Sequence, residues 1–187
     1  AGKTGPCGPD TEMFVDTGKA ACGASCRPGC RCGKYFEVWN DVFMQYNKTE
    51  DGRYERLKQH NVDTGMGVER TVAMLQGQSS VFETELFAPV IQAVEAGSGR
   101  RIAESPETAK AFRVISDHVR SAVFILGDEQ GISPSNLGQG YVLRRLIRRA
   151  VRYAKQLGLK EGFFAPLAAS AVASYKAVYP ELQANEA

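Results

Sequence analysis

Histidine is almost absent, with two in 187 residues, which leaves little scope for histidine catalysis or a histidine-built metal site. No apolar run approaches the roughly 20 residues that a membrane span requires; the longest lies around Ala122 to Leu126. The first residues carry no basic and apolar leader, and no segment repeats. With 43% hydrophobic and 24% charged residues the chain is neither disordered nor fibrous. It reads as a soluble, cytoplasmic protein with no membrane partner. It opens on Ala1 inside a Gly-rich stretch, so the natural chain is expected to begin earlier. Net charge is only +2, but carboxylates are missing from one place in particular. Between Tyr141 and Lys160 stand Arg144, Arg145, Arg148, Arg149, Arg152, Lys155 and Lys160 with no acidic residue. Such a local excess marks a phosphate-rich partner more than random surface charge.

Residues 1 to about 34 are rich in Gly, Pro and Cys, a composition of loops with at most a short strand at Glu12 to Asp16. From Lys34 to Tyr46 the pattern has period two, with Phe36, Val38, Asn40, Val42, Met44 and Tyr46 on one face. A long strand covered on both sides is predicted, with Trp39 in the core on its other face. Asp51-Gly52 reads as a hairpin turn and a second strand is expected from Tyr54, ending before Asn61. Val68, Val72 and Leu75 then recur at helical spacing after Gly65 and Gly67. Ser105-Pro106-Glu107 opens a helix with Phe112, Ile115, Val119, Ala122 and Leu126 inside. Tyr141 to Leu157, closed by Gly158, forms another, and Phe164, Leu167, Ala171 and Tyr175 suggest a third. The expected fold is therefore α+β: a mixed part to about residue 95, a junction near Gly97 to Arg101, and an all-helical part after about 105. The domains are written as 1–100, with a Cys-rich insert at 20–34, and 101–187.

Three constellations carry chemistry. In Val62-Asp63-Thr64-Gly65-Met66-Gly67-Val68-Glu69-Arg70, two glycines let the backbone approach a ligand and the arginine can reach a phosphate. Asp63 would be an anion facing a substrate amine. From the residues alone, a tight strand–helix connection with a surface arginine fits as well. Asn40 interrupts an apolar strand face and needs a partner, either backbone or ligand, since an unpaired buried amide costs about 1–3 kcal/mol. Cys22, Cys26, Cys30 and Cys32 lie within eleven residues, in a loop that thiolate coordination of Zn²⁺ could organise. Free thiols remain the alternative, because the spacing is not the common paired one. Asp117, His118 and Arg120 read as an internal network.

Several stretches in one order resemble alanyl-tRNA synthetases: Thr4 to Glu12, Lys34 to Gln45, Val62 to Arg70, Asp117 to Arg120, and Gly138 to Arg145. The likeness runs to about Leu159. It implies a class II synthetase-like antiparallel sheet with flanking helices, present in part, followed by an all-α domain. It implies ATP and Mg²⁺, formation of alanyl-adenylate from L-alanine, and transfer to tRNA(Ala). Position by position, Asn40, Val42, Asp63 and Gly65 match alanine-pocket residues. Arg70 matches the arginine on the ATP γ-phosphate, with Gly67 and Glu12 as further ATP-binding candidates; a sheet-edge salt bridge fits Glu12 equally. Asn136 matches the reader of the G·U pair in the acceptor stem, and Arg144, Arg145, Arg148, Arg149 and Arg152 would grip its phosphates. A turn or cap role for Asn136 and a solvated face for the arginines stay open. The first two class II motifs, and with them the cation for the α-phosphate, are absent. The chain is therefore expected to be one piece of a ligase, the second half of the aminoacylation domain plus the start of the tRNA-recognition domain, inactive without the upstream half. The alternatives are a non-catalytic RNA-binding module and a free-standing alanine-activating relative.

Overall fold

The computed structural model describes residues 3–185, and the chain divides into two compact units after Val81. In the first, period-two alternation with β-branched and aromatic residues yields four antiparallel strands: β1 (Gly5–Cys7), β2 (Asp10–Asp16), β3 (Tyr35–Lys48) and β4 (Tyr54–Met66). β3 is the spine. Its Tyr46 pairs with Cys7 on one side and Arg56 on the other, so β1 and β2 lie end to end along one edge and β4 along the opposite edge. The break between β1 and β2 requires glycine: a Cβ on Gly8 would lie 1.7 Å from the Phe43 carbonyl oxygen. Helix α1 (Val68–Leu75) follows β4 directly and packs on β3.

β4 runs well past the expected end before Asn61, because its pairing with β3 continues as far as Trp39 opposite Met66. Asp63 and Gly65 are thus strand residues, held in register. β3 is not sealed on both faces. Among the described residues of this unit, Ala73 is the one buried apolar side chain, while Met13, Phe43, Tyr54, Val62 and Met66 stay exposed. Trp39 is half-buried, its indole N–H donating to the Thr64 hydroxyl, so it is not a core residue.

The second unit is helical: α2 (Ala88–Ser98), α3 (Pro106–Gly127), α4 (Gly138–Leu157), α5 (Phe164–Tyr175) and the short α6 (Glu181–Ala184). α3 carries the core. Phe112, Ile115, Val119 and Ala122 recur at three- and four-residue spacing and are all buried, as predicted, among Val90, Val94, Leu143, Ala150, Leu167 and Ala171. Each large side chain so placed contributes roughly 1.5–3 kcal/mol. Leu126 is instead exposed, because the last turn of α3 is covered at Gly127, where a Cβ would sit 2.7 Å from a Leu182 methyl. α4 ends at Gly158 in the left-handed conformation, φ +78°. The expected junction at Gly97 to Arg101 is ordered instead. α2 ends there on Gly99, Arg101 pairs with Glu95 at 3.1 Å and Arg100 with Glu104 at 2.6 Å. The compact units divide after Val81, and α2 packs on α3 and α5.

Ser105 is extended and its hydroxyl accepts the Thr108 backbone N–H at 3.1 Å, ahead of Pro106 at the first helical position. Ser105→Ala is expected to lower the unfolding free energy by about 1 kcal/mol. Urea unfolding followed by far-ultraviolet circular dichroism measures this, and an unchanged midpoint would refute the cap.

Candidate functional site

Strand register assembles the first candidate site. Asp10 and Asp63 both lie opposite Val42, and Glu12 and Gly65 both lie opposite Asn40. Cross-strand partners share a face, as do alternate residues along a strand. Two adjacent rows, Asp10–Val42–Asp63 and Glu12–Asn40–Gly65, therefore occupy one face of the sheet. Five residues singled out from sequence, namely Glu12, Asn40, Val42, Asp63 and Gly65, are brought together. Asn40 is half-buried, not sealed in a core, and its amide oxygen lies 3.4 Å from where a Gly65 Cβ would be. Any larger residue at 65 would close the space beside the amide. Asp10, Glu12 and Asp63 are exposed, so the face presents three carboxylates around one apolar and one amide side chain. Asp10 was missed by sequence reasoning. The signal was there: it precedes Glu12 by two, so any strand carrying Glu12 to one face carries Asp10 with it.

Gly67 and Arg70 stand where β4 gives way to α1. The Gly67 N–H donates to the Val38 carbonyl at 3.0 Å and is not free for a phosphate. What the glycine supplies is room, since a Cβ would meet the Arg70 side chain at 3.0 Å. Arg70 lies over the Phe36 ring at 5.5 Å, donates to the Glu37 carbonyl at 3.1 Å and approaches the Glu37 carboxylate at 3.6 Å. A guanidinium has five donors, and this one is half-exposed, so part of its fork faces solvent.

The cysteines form a second constellation. Between β2 and β3 the chain makes an excursion closed at its base. The Thr17 N–H donates to the Lys34 carbonyl at 2.8 Å, the Thr17 hydroxyl to the Gly33 carbonyl at 2.8 Å, and Lys34 pairs with Asp16 at 3.0 Å. At its tip the sulfurs of Cys22, Cys26, Cys30 and Cys32 all lie within 4.8 Å of one another, Cys22 and Cys30 at 3.4 Å and Cys26 and Cys32 at 3.7 Å. Tetrahedral coordination at the usual Zn–S length of about 2.3 Å separates sulfurs by about 3.8 Å. The donor set fits a structural Zn²⁺. The Lys34 backbone N–H is the main cause of a Cys32 thiol lowered to about 7, while hydrogen bonding to Cys30, then Cys32 and Cys26, pushes Cys22 up to about 12. Cys7 lies in β1, outside the cluster.

In the helical unit, Arg145, Arg148, Arg149 and Arg152 line one open depression along α4, and Arg152 also lies over the Tyr153 ring at 5.1 Å. Asn136 precedes the helix, and its amide oxygen accepts from the Arg144 guanidinium. That bond joins two residues that sequence reasoning treated separately. Asp117 and His118 bond to each other at 2.7 Å, whereas Arg120 donates to the Tyr175 hydroxyl at 3.0 Å and stacks on Phe87 at 4.4 Å. The expected single network is thus two local ones.

Known proteins match along the whole chain. The family model described as tRNA synthetases class II (A) matches residues 1–187. The alanine–tRNA ligase of Treponema denticola is 58% identical over 186 residues, covering 100% of this chain and 31% of its own length. That of Borreliella afzelii is 56% identical over 181 residues, 97% of this chain and 30% of the relative, and that of Treponema pallidum is 54% identical over 182 residues, with 97% and 30% covered. This chain spans less than a third of the length of these relatives. An antiparallel sheet with a flanking helix, a carboxylate-rich face and a match along every residue lead to one statement: the chain belongs to the class II tRNA synthetase family.

Proposed function

We propose that this chain is the part of an alanine–tRNA ligase that holds alanine and the ATP γ-phosphate on its sheet and the acceptor stem of tRNA(Ala) on its helices. The observation that carries the reading is the pair of rows Asp10–Val42–Asp63 and Glu12–Asn40–Gly65 on one face, with Arg70 at the end of the same strand pair. Asp63 offers an anion for the alanine ammonium. Val42 and the bare backbone of Gly65 form an apolar floor that a methyl group can lie on, and the Asn40 amide orients the substrate by hydrogen bonding. Glu12 and Asp10 supply hard oxygen donors of the kind Mg²⁺ takes together with phosphates. Arg70 supplies a planar fork for the terminal phosphate.

Activation joins the alanine carboxylate to the ATP α-phosphorus with loss of pyrophosphate, and transfer passes the alanyl group from the adenylate to a ribose hydroxyl of the RNA with release of AMP. Both steps are promoted mainly by position and charge. Among the candidate residues of the sheet Arg70 is the one cation and is assigned to the terminal phosphate, so the chain is read as needing the upstream half of the aminoacylation domain for the α-phosphate. The exposed apolar side chains of the sheet and the greater length of the relatives support that reading. The domains are proposed accordingly: a sheet unit belonging to the aminoacylation domain and a helical unit opening the tRNA-recognition domain. The cysteine cluster is proposed to hold one structural Zn²⁺.

Three measurements test these assignments. In the full-length enzyme, Asp63→Asn is expected to raise the KM for alanine in ATP–pyrophosphate exchange by roughly ten-fold or more, as loss of a charged hydrogen bond should, with the KM for ATP little changed. Equal losses for both substrates would reject the role. Metal analysis of protein purified without added zinc should find close to one Zn²⁺ per chain, reduced by Cys26→Ser; no zinc and no uptake on titration would leave four free thiols. Asn136→Ala should lower the preference for a G·U over a G·C acceptor stem by about 1–3 kcal/mol and leave the salt dependence unchanged. Arg148→Ala should weaken both stems alike and flatten the salt slope. Undiminished discrimination after Asn136→Ala would remove that residue from the interface.

A further inference from the structure

We infer that Leu137 and Tyr141 form an apolar end to the RNA-binding face of α4, packing on sugars and base edges in the minor groove beside the arginines. The inference rests on the tRNA reading above. Positions 141, 144, 145, 148, 152 and 155 recur at three- and four-residue spacing, so their side chains share one stripe of the helix, roughly 21 Å long at 1.5 Å per residue, and Leu137 is the extended residue that caps its start. Two contacts tie the stripe together. Arg145 stands over the Tyr141 ring at 5.8 Å, and Arg145, Arg148, Arg149 and Arg152 line a common depression. The stripe is chemically polar along its length, cationic toward the C-terminal end and apolar at the start.

That apolar start is held rigidly in water. Leu137 is 82% exposed and Tyr141 47%. The Leu137 N–H donates to the Ser135 hydroxyl oxygen at 3.2 Å, the same hydroxyl donates to the Leu137 carbonyl at 2.8 Å, and the Ser135 N–H donates to the Gly140 carbonyl at 3.0 Å. Gly140 makes this close packing possible: a Cβ there would lie 2.5 Å from both the Ser133 carbonyl oxygen and the Ser135 hydroxyl. The loop is thus fastened to the first turn of α4, and exposed Leu137 follows directly on Asn136, whose amide oxygen accepts from Arg144. An isolated exposed leucine needs no explanation. A buttressed one, at the start of a helix whose stripe carries an aromatic ring and five cations, has the form of a contact.

Charge selects the occupant. From Gln130 to Lys160 the chain carries seven cations and no carboxylate. An apolar protein segment seated on Leu137 and Tyr141 would have to desolvate the neighbouring guanidinium groups without neutralising them. An RNA stem does not pose that conflict. Its minor groove is wide and shallow, exposes sugars and base edges to side chains, and is bordered by phosphates. With Arg144 and Arg145 on phosphates, Leu137 and the Tyr141 ring meet the sugar edges between them. The contact is non-electrostatic and adds affinity that salt does not screen.

The test is binding of an acceptor-stem hairpin RNA by fluorescence anisotropy across a salt series. Leu137→Ala and Tyr141→Ala are each expected to weaken binding by roughly five- to ten-fold, the lower part of the range for a lost apolar contact to a nucleotide. The slope of affinity against salt should remain that of the unmodified chain, and Tyr141→Phe, which keeps the ring, should retain most of the affinity. Arg148→Ala serves as the control. If it neither weakens binding nor flattens the slope, the tRNA reading fails and this inference falls with it. If it behaves as expected while both alanine variants bind like the unmodified chain, the inference alone is overturned. Leu137 projects from a loop, so its replacement separates a contact effect from helix unfolding. Hydroxyl-radical labelling of Tyr141 in the full-length protein completes the test: protection by RNA supports the contact, and protection already present without RNA would assign the tip to another protein segment.

Discussion

Everything on the sheet depends on the pairing of β3 along both edges. A strand bonded on one side can slip by a residue and turn its side chains to the opposite face; one bonded on both sides must break two ladders to do so. β3 meets β2 and β4 at the same positions, so Val42 fixes Asp10 and Asp63 together and Asn40 fixes Glu12 and Gly65 together. Irregularities do occur, at Met13/Phe14 and at Met44/Tyr46, but both lie outside the two rows. The stretch of regular register is thus the stretch that carries the candidate site. The same logic explains Gly8, whose backbone lies against the Phe43 carbonyl and leaves no space for a side chain where β1 passes into β2.

The two units solve burial differently. The helices close a core from their own sequence, with Phe112, Ile115, Val119, Leu143 and Leu167 all inside. That core frees α4 to present guanidinium groups to solvent, because Leu143, Ala150, Ala154 and Leu157 already anchor its other side. The sheet has no such interior. Backbone hydrogen bonds and the closed base of the cysteine excursion hold it, while apolar groups of β2, β3 and β4 remain in water. A cluster of four thiolates around a metal would add a fixed point where side-chain packing is thin.

Much of this was legible in the sequence, for identifiable reasons. The helices from Pro106 and up to Gly158 announce themselves through a Ser-Pro-Glu start, a left-handed glycine and a strong apolar stripe. β3 is plain from its alternation. What escaped was set by partners distant in the chain. The length of β4 depends on pairing that only β3 can supply, since Asn61 to Met66 contains polar and glycine residues that read as a loop. The helix Ala88–Ser98 was hidden because its pattern is apolar nearly all round, and its end at Gly99 resembled a linker. Of the candidate site, the residue types could be singled out from spacing and resemblance, but their grouping into two rows, the addition of Asp10 and the Arg144–Asn136 bond are consequences of register and folding.

The openness of the carboxylate face bears on how it can work. Two opposite charges about 4 Å apart attract by about 1 kcal/mol in bulk water and about 4 kcal/mol at the effective dielectric of a protein surface. Asp63 is exposed, so on this sheet alone its pull on an ammonium is close to the weaker limit, and a bound amino acid would exchange freely with water. Selection against a larger side chain has the same requirement. Val42 and Gly65 form a floor, and a floor without walls cannot exclude an ethyl group by size. The residues that on the proposed reading recognise alanine would gain strength from a covering layer that displaces water from the two rows. On the proposed reading, the layer that brings the missing α-phosphate cation would also lower the dielectric around Asp63, so phosphate binding and amine binding would become strong together.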